Sequence, residues 1–155
     1  MSSNKKQARY GRVYNQLKML MPKSNDISAR MCSIVSILHH KMDGFFWTGF
    51  YLLTNDNKLV VRTYQGHVAC MELAENTGVC RAAIKQQEII IVPNVEEFPG
   101  HIACDSRSKS EIVVPVKDKK GEIIGVLDVD SNKPNTFDEV DAEGLERIVS
   151  LIFEK

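Results

Sequence analysis

EIVVPVKDKKGEIIGVLDVD, running from Glu111 to Asp130, has the two-residue period of a β-hairpin. Successive strand side chains alternate between faces, so Ile112, Val114 and Val116 share one side and Glu111 lies on the other. In the second arm Leu127 and Val129 point one way, Asp128 and Asp130 the opposite way. Asp118-Lys119-Lys120-Gly121 supplies the turn. Pairing Lys117 with Glu122 places Glu111 directly opposite Asp128, with Asp130 as a diagonal neighbour. Three carboxylates then share one small patch. Like charges facing each other across strands destabilise by roughly 0.2–1 kcal/mol when exposed, so folding alone does not choose this pattern. A cationic ligand, either a substrate ammonium or a metal ion, would relieve it; alternatively one carboxyl stays protonated and acts as an acid. The plain alternative is a solvated strand end without chemistry.

Outward from this hairpin, the remaining elements follow from local signals. A closing helix runs from about Asp138 to Phe153, with Thr136 and Glu139 as its capping box and Leu145, Ile148, Val149 and Ile152 facing inward. Upstream, residues before Gln7 read as a flexible tail, and a short helix covers Ala8 to Met21 until Pro22 ends it. Asn25 or Asp26 caps a second helix with Met31, Ile34, Val35 and Leu38 on its apolar stripe. Cys32 falls near that stripe and reads as a core thiol. Phe46 to Leu53 and Leu59 to Tyr64 form a hairpin around Asn55-Asp56-Asn57. A short helix spans Gly78 to Gln86, and Ile89 to Val92 is a brief strand stopped by Pro93. Asn94 to Ser110 is a long irregular stretch of the kind that often carries function. The order predicts an α+β fold over residues 1–155, with residues 1–6 as tail: one mainly antiparallel sheet with the terminal helices on one face.

Composition narrows the function classes. Among 155 residues, Lys+Arg and Asp+Glu are 20 each, which argues against a broad nucleic-acid surface. No apolar run approaches the ~20 residues of a membrane span, and MSSNKKQARYGR lacks an apolar signal core, so a cytoplasmic protein is expected. The four cysteines, Cys32, Cys70, Cys80 and Cys104, contain no CxxC pair, so no zinc spacing is evident and redox chemistry or core packing remains. Cys104 lies in the long stretch, close enough in sequence to Glu111 to reach the acid patch. Cys70 follows the first hairpin in a matching Gly-His-aliphatic-Ala-Cys setting, and a second thiol within reach of a first is what a thiol redox cycle needs.

FWTGFYLL at Phe46 to Leu53, GHIACDSRSKSEIVVPV at Gly100 to Val116 and GVLDVDS at Gly125 to Ser131 together resemble the free methionine-(R)-sulfoxide reductases, a family of GAF-domain enzymes. The resemblance spans nearly the whole chain. It implies a single GAF-like domain that reduces free methionine (R)-sulfoxide, without metal or cofactor. Cys104 matches the catalytic cysteine, Cys70 the resolving cysteine and Cys80 a third family cysteine with an auxiliary role. Glu111, Asp128 and Asp130 match the substrate-binding acids. Trp47 and Tyr51 match the aromatic wall around the substrate methyl group; four residues apart on a strand they share a face, and core packing is their other reading. The implied cycle passes through a sulfenic acid on Cys104 and a disulfide with Cys70, recycled by thioredoxin or a similar dithiol. A homodimer through the terminal helices is compatible with the resemblance. This chain departs from the family by carrying Arg81, where Gly often follows the third cysteine. A non-catalytic GAF-type sensor of a small ligand or of redox state is the rival reading.

Overall fold

The alternating segments assemble into one six-stranded sheet in which every neighbouring pair is antiparallel. The computed structural model describes residues 2–101 and 104–155. Helices α1 (Ser3–Leu20) and α2 (Ile27–Lys41) precede strands β1 (Trp47–Leu53), β2 (Leu59–Gln65) and β3 (Glu72–Leu73). Helix α3 (Val79–Gln86), β4 (Ile90–Val92), β5 (Ser110–Lys117), β6 (Ile123–Ser131) and α4 (Glu139–Val149) follow. The strand order is β3-β2-β1-β6-β5-β4, which places the acid-bearing β6 beside β1 at the centre.

The two faces of the sheet are built for different purposes. Phe50, Ile112, Val114, Val116, Leu127 and Val129 turn to one face, where the stripes of α1, α2 and α4 cover them. Each fully buried Leu, Ile or Phe there contributes roughly 1.5–3 kcal/mol. Trp47, Tyr51, Val113 and Val126 turn to the other face, which carries only α3 with Val79, Cys80 and Ala83. That thinner cover leaves room beside the strands for a recess. The expected placement of the terminal helices on a single face is what forms. No described helix is long and apolar enough to cross a membrane.

Several local expectations need correction. Helix α1 starts at Ser3, five residues before the expected start, because Ser2 accepts a hydrogen bond from the Lys5 backbone and Lys6 reaches Asp141 on α4 at 2.7 Å. The box at the start of α4 is formed by Asp138 and Asp141; Thr136 instead donates to Ser131 Oγ at 2.6 Å. Asp138 wins because its carboxylate accepts from the Val140 and Asp141 amides. Cys32 is exposed, since its position on α2 lies off the buried stripe of Met31, Ile34, Val35 and Leu38. Strand β3, in the polar segment after Cys70, has no alternating signal and forms by pairing with the edge of β2.

The late hairpin is also shifted from the expected register. The Asp118 amide donates to Glu122 O at 2.9 Å and Gly121 takes φ +83°, so the loop has three residues and not four. A further irregularity falls between Val116 and Lys117. Each change alone would turn every later side chain over; together they restore the face. Glu111 therefore stands opposite Asp130, and Asp128 opposite Val113 becomes the diagonal neighbour.

Candidate active site

Strand register brings the key side chains together in rows. Trp47 pairs with Asp130 and Asp130 with Glu111, so one row crosses β1, β6 and β5 on a single face. The next row is Gly49, Asp128 and Val113. Gly49 is the smallest residue beside Asp128, and the Trp47 ring lies across it. A Cβ there would meet Trp47 Cη2 at 2.6 Å and also Tyr64. Trp47 is held between Tyr51 and Tyr64, stacked at ring-centre distances of 5.7 and 5.3 Å, and its Nε1 donates to His67 O at 3.0 Å. Gly49→Ala should therefore cost about 1–3 kcal/mol by overpacking. Thermal unfolding followed through the fluorescence of this single tryptophan measures it; an unchanged midpoint and spectrum would refute the packing claim.

Two loops wall the recess opposite the strands. Cys70 and Cys104 form a disulfide with a Cα–Cα distance of 5.5 Å. Cys104 is exposed and Cys70 partly buried. Thr77 Oγ1 donates to Gly100 O at 2.7 Å and Tyr51 Oη donates to Cys70 O at 3.3 Å, fixing the loops to each other and to β1. Ile102 and Ala103, within the GHIAC motif, lie outside the described residues. The recess is lined by Trp47, Tyr51, Cys80, His101, Cys104, Glu111, Asp128 and Asp130 among others. Every residue singled out from the sequence except Cys70 thus borders it, and Cys70 is bonded to one that does. Arg81, the departure from the family pattern, is buried and takes no part. It donates to Ala74 O at 3.2 Å and Asn57 O at 2.9 Å, pinning the segment after Cys70 to the first hairpin turn.

Electrostatics at the base of the recess are dominated by burial. Glu111 and Asp128 are 5% and 6% exposed, while Asp130 is partly buried. Burial, then the neighbouring Asp130, pushes the Glu111 carboxyl up to about 8. Burial first, and then Glu111 or Asp128, holds Asp128 and Asp130 well above the usual carboxylate range. The three acids therefore hold their protons more tightly than free carboxyls do. Asp128 Oδ1 is buried and has no hydrogen-bond partner among the described residues. Burial, followed by the three acids, raises the Cys80 thiol well above its ordinary value, so Cys80 is held protonated.

His101 joins these groups, with its Nε2 3.8 Å from Glu111 Oε1. Burial lowers its pKa, so it stands there as a neutral imidazole beside a largely protonated carboxyl, not as an ion pair. The repeated Gly-His-aliphatic-Ala-Cys surroundings were the available signal. Arg107, in the same segment, is engaged with Asp105 and Phe46. It grips Asp105 at 2.9 and 2.7 Å, holds that carboxyl down to about 2, and lies 5.2 Å from the Phe46 ring centre.

An exposed cysteine bridged to a second one, above a floor of three acids and an aromatic wall, suits thiol chemistry on a small cationic molecule. Known proteins share both the fold and this sequence. The GAF domain family matches residues 25–152. GAF domain-containing protein A of Dictyostelium discoideum is 44% identical over 97% of this chain and 94% of its own. The free methionine-R-sulfoxide reductase of Escherichia coli is 36% identical over 91% of this chain and 84% of its own. The chain belongs to the free methionine-R-sulfoxide reductase family of GAF domains. Among solved structures, the free methionine-R-sulfoxide reductase of Neisseria meningitidis in complex with its substrate superposes with a TM-score of 0.90 at 36% identity. It covers 95% of this chain and 87% of that one. Membership of this reductase family extends through the sheet and the loops that build the recess.

Proposed function

We propose that this chain reduces free methionine (R)-sulfoxide to methionine, with Cys104 as nucleophile. The observation that carries the reading is the Cys70–Cys104 bridge at the mouth of a recess whose base is three acids, two of them buried and one with an unpaired oxygen. The substrate ammonium enters among Glu111, Asp128 and Asp130, and Trp47 and Tyr51 pack against the methylthio end. A charged nitrogen there supplies the partner that Asp128 Oδ1 lacks.

The Cys104 thiolate bonds to the sulfoxide sulfur, and that S–S bond and the original S–O bond then break as the oxygen passes to Cys104. The departing sulfur leaves as the thioether of methionine and Cys104 becomes a sulfenic acid. Protons stored on the acids supply the one that the oxygen requires. Cys70 then attacks the sulfenic sulfur and expels water, which forms the disulfide. An external dithiol such as thioredoxin reduces it, as in a reducing cytoplasm. Cys80, protonated and facing the acids, has an auxiliary place in this scheme and is not a nucleophile.

Incubation of the chain with free methionine (R)-sulfoxide and dithiothreitol, followed by amino-acid analysis, tests this directly. Methionine should form from the R epimer only, and not from a sulfoxide inside a peptide. Cys70→Ser should release one equivalent of methionine per chain and then stall with thioredoxin as reductant. Failure to convert the free R epimer would leave a ligand-binding sensor as the better reading.

A further inference from the structure

The reductive cycle leaves Cys80 without chemistry of its own, although it is the thiol nearest the acids. Its side chain is 5% exposed, at the N-terminal end of α3. Cys80 Sγ, a Glu111 carboxyl oxygen and an Asp128 carboxyl oxygen all lie within 4.8 Å of one another. A tetrahedral zinc site has bonds of about 2.0–2.3 Å, so its ligand atoms stand about 3.3–3.6 Å apart. The present triangle exceeds that size by at most about 1.5 Å on any side. The unpartnered Asp128 Oδ1 is a second, independent indication, because a buried oxygen without a donor is costly unless something binds it.

We propose that Cys80, Glu111 and Asp128 form a binding site for a thiophilic divalent cation of the Zn²⁺ type, open when Cys70 and Cys104 are bridged and no amino acid fills the recess. One sulfur and two oxygens fit such an ion, and water takes the fourth position. Mg²⁺ and Ca²⁺ need six or more oxygens, which three side chains do not provide. The recess holds a cavity of about 60 Å³, room for an ion and a few waters. Binding exchanges protons for metal. The Cys80 S–H and carboxyl O–H bonds break, the protons leave to solvent, and coordinate bonds form without any change of oxidation state. Because the ion takes the carboxylates assigned to the substrate ammonium, it competes with methionine; that consequence rests on the reductase reading, whereas the metal site does not.

The test uses the full chain oxidised to the Cys70–Cys104 form, in which Cys32 and Cys80 are the free cysteines. Cd²⁺ titration followed by thiolate-to-metal absorption, and Zn²⁺ titration against a chromogenic chelator, should show one ion per chain in the wild type and in Cys32→Ser. Cys80→Ser should lose the absorption, and Asp128→Asn should bind at least about tenfold more weakly. No absorption in the wild type, or absorption that survives Cys80→Ser, overturns the site. Asp128→Asn decides the matter if Cys80→Ser does not fold: unchanged affinity there also overturns it. Saturating methionine should weaken Zn²⁺ binding, and a chain that holds both together refutes the competition. A chain that binds Zn²⁺ but reduces no sulfoxide counts against the proposed function and not against the metal site.

Discussion

Cys104→Ser should abolish release of methionine from its (R)-sulfoxide even in a single turnover, where no recycling is needed. The expected loss is about 10³-fold or more, equivalent to at least about 4 kcal/mol of barrier. A serine hydroxyl does not ionise near neutral pH and does not accept oxygen from a sulfoxide, whereas a thiolate does both. None of the three remaining thiols takes its place: Cys70 is not among the residues that line the recess. Cys32 is exposed on α2, which packs on the opposite face of the sheet. Cys80 borders the recess but is buried among acids that keep it protonated. Quenched single-turnover reactions with amino-acid analysis give the rate. Wild-type release by this variant would remove Cys104 as the nucleophile and with it the mechanism. The result contrasts with Cys70→Ser, which keeps the first turnover and loses only the regeneration.

The second large effect runs in two directions at once. Asp128→Asn should weaken substrate binding by about 1–3 kcal/mol, because a charge-assisted contact to the ammonium is lost. The same change should stabilise the ligand-free chain at pH 8. Burial and Glu111 raise the folded-state pKa of Asp128 well above its unfolded value near 4. Between those values the folded chain binds more protons than the unfolded chain, so stability falls as pH rises. Below about pH 4 both states are protonated and the effect disappears. An amide never ionises, so the advantage of the variant should grow from pH 5 to pH 8. Thermal midpoints across that range, paired with calorimetric titration by methionine, measure both halves. A variant that is equally destabilised at every pH would show that the carboxyl is not under strain.

Much of this site was legible in the sequence because strand parity is a strong constraint. Asp128 and Asp130 had to share a face, and Leu127 and Val129 had to face the core, whatever the exact register. The register itself was not legible. A three-residue loop at Gly121 and an irregularity near Val116 each shift the register by one residue, and no side-chain pattern announces them. Cys32 was misplaced because a helical stripe is a matter of about 100° per residue, and a small thiol beside it reads as either buried or exposed. The depth of the acids was hidden too. Alternation says which face a carboxylate occupies, not that α3 and two loops will cover it and drive its proton affinity upward. The place of His101 beside Glu111 was hidden because it depends on the fold-back of a segment without periodicity.

The disulfide joins residues 34 positions apart, and α3, the helix packed on the recess face of the sheet, lies between them. Forming it removes freedom from the unfolded chain worth about 3–4 kcal/mol in a loop-entropy account. In the proposed cycle a tethered molecule thus alternates with a looser one. Limited proteolysis between positions 70 and 104 should cut the reduced chain faster than the oxidised chain. A cell short of electrons would accumulate the enzyme in its more durable form, so that the catalyst outlasts the shortage that idles it.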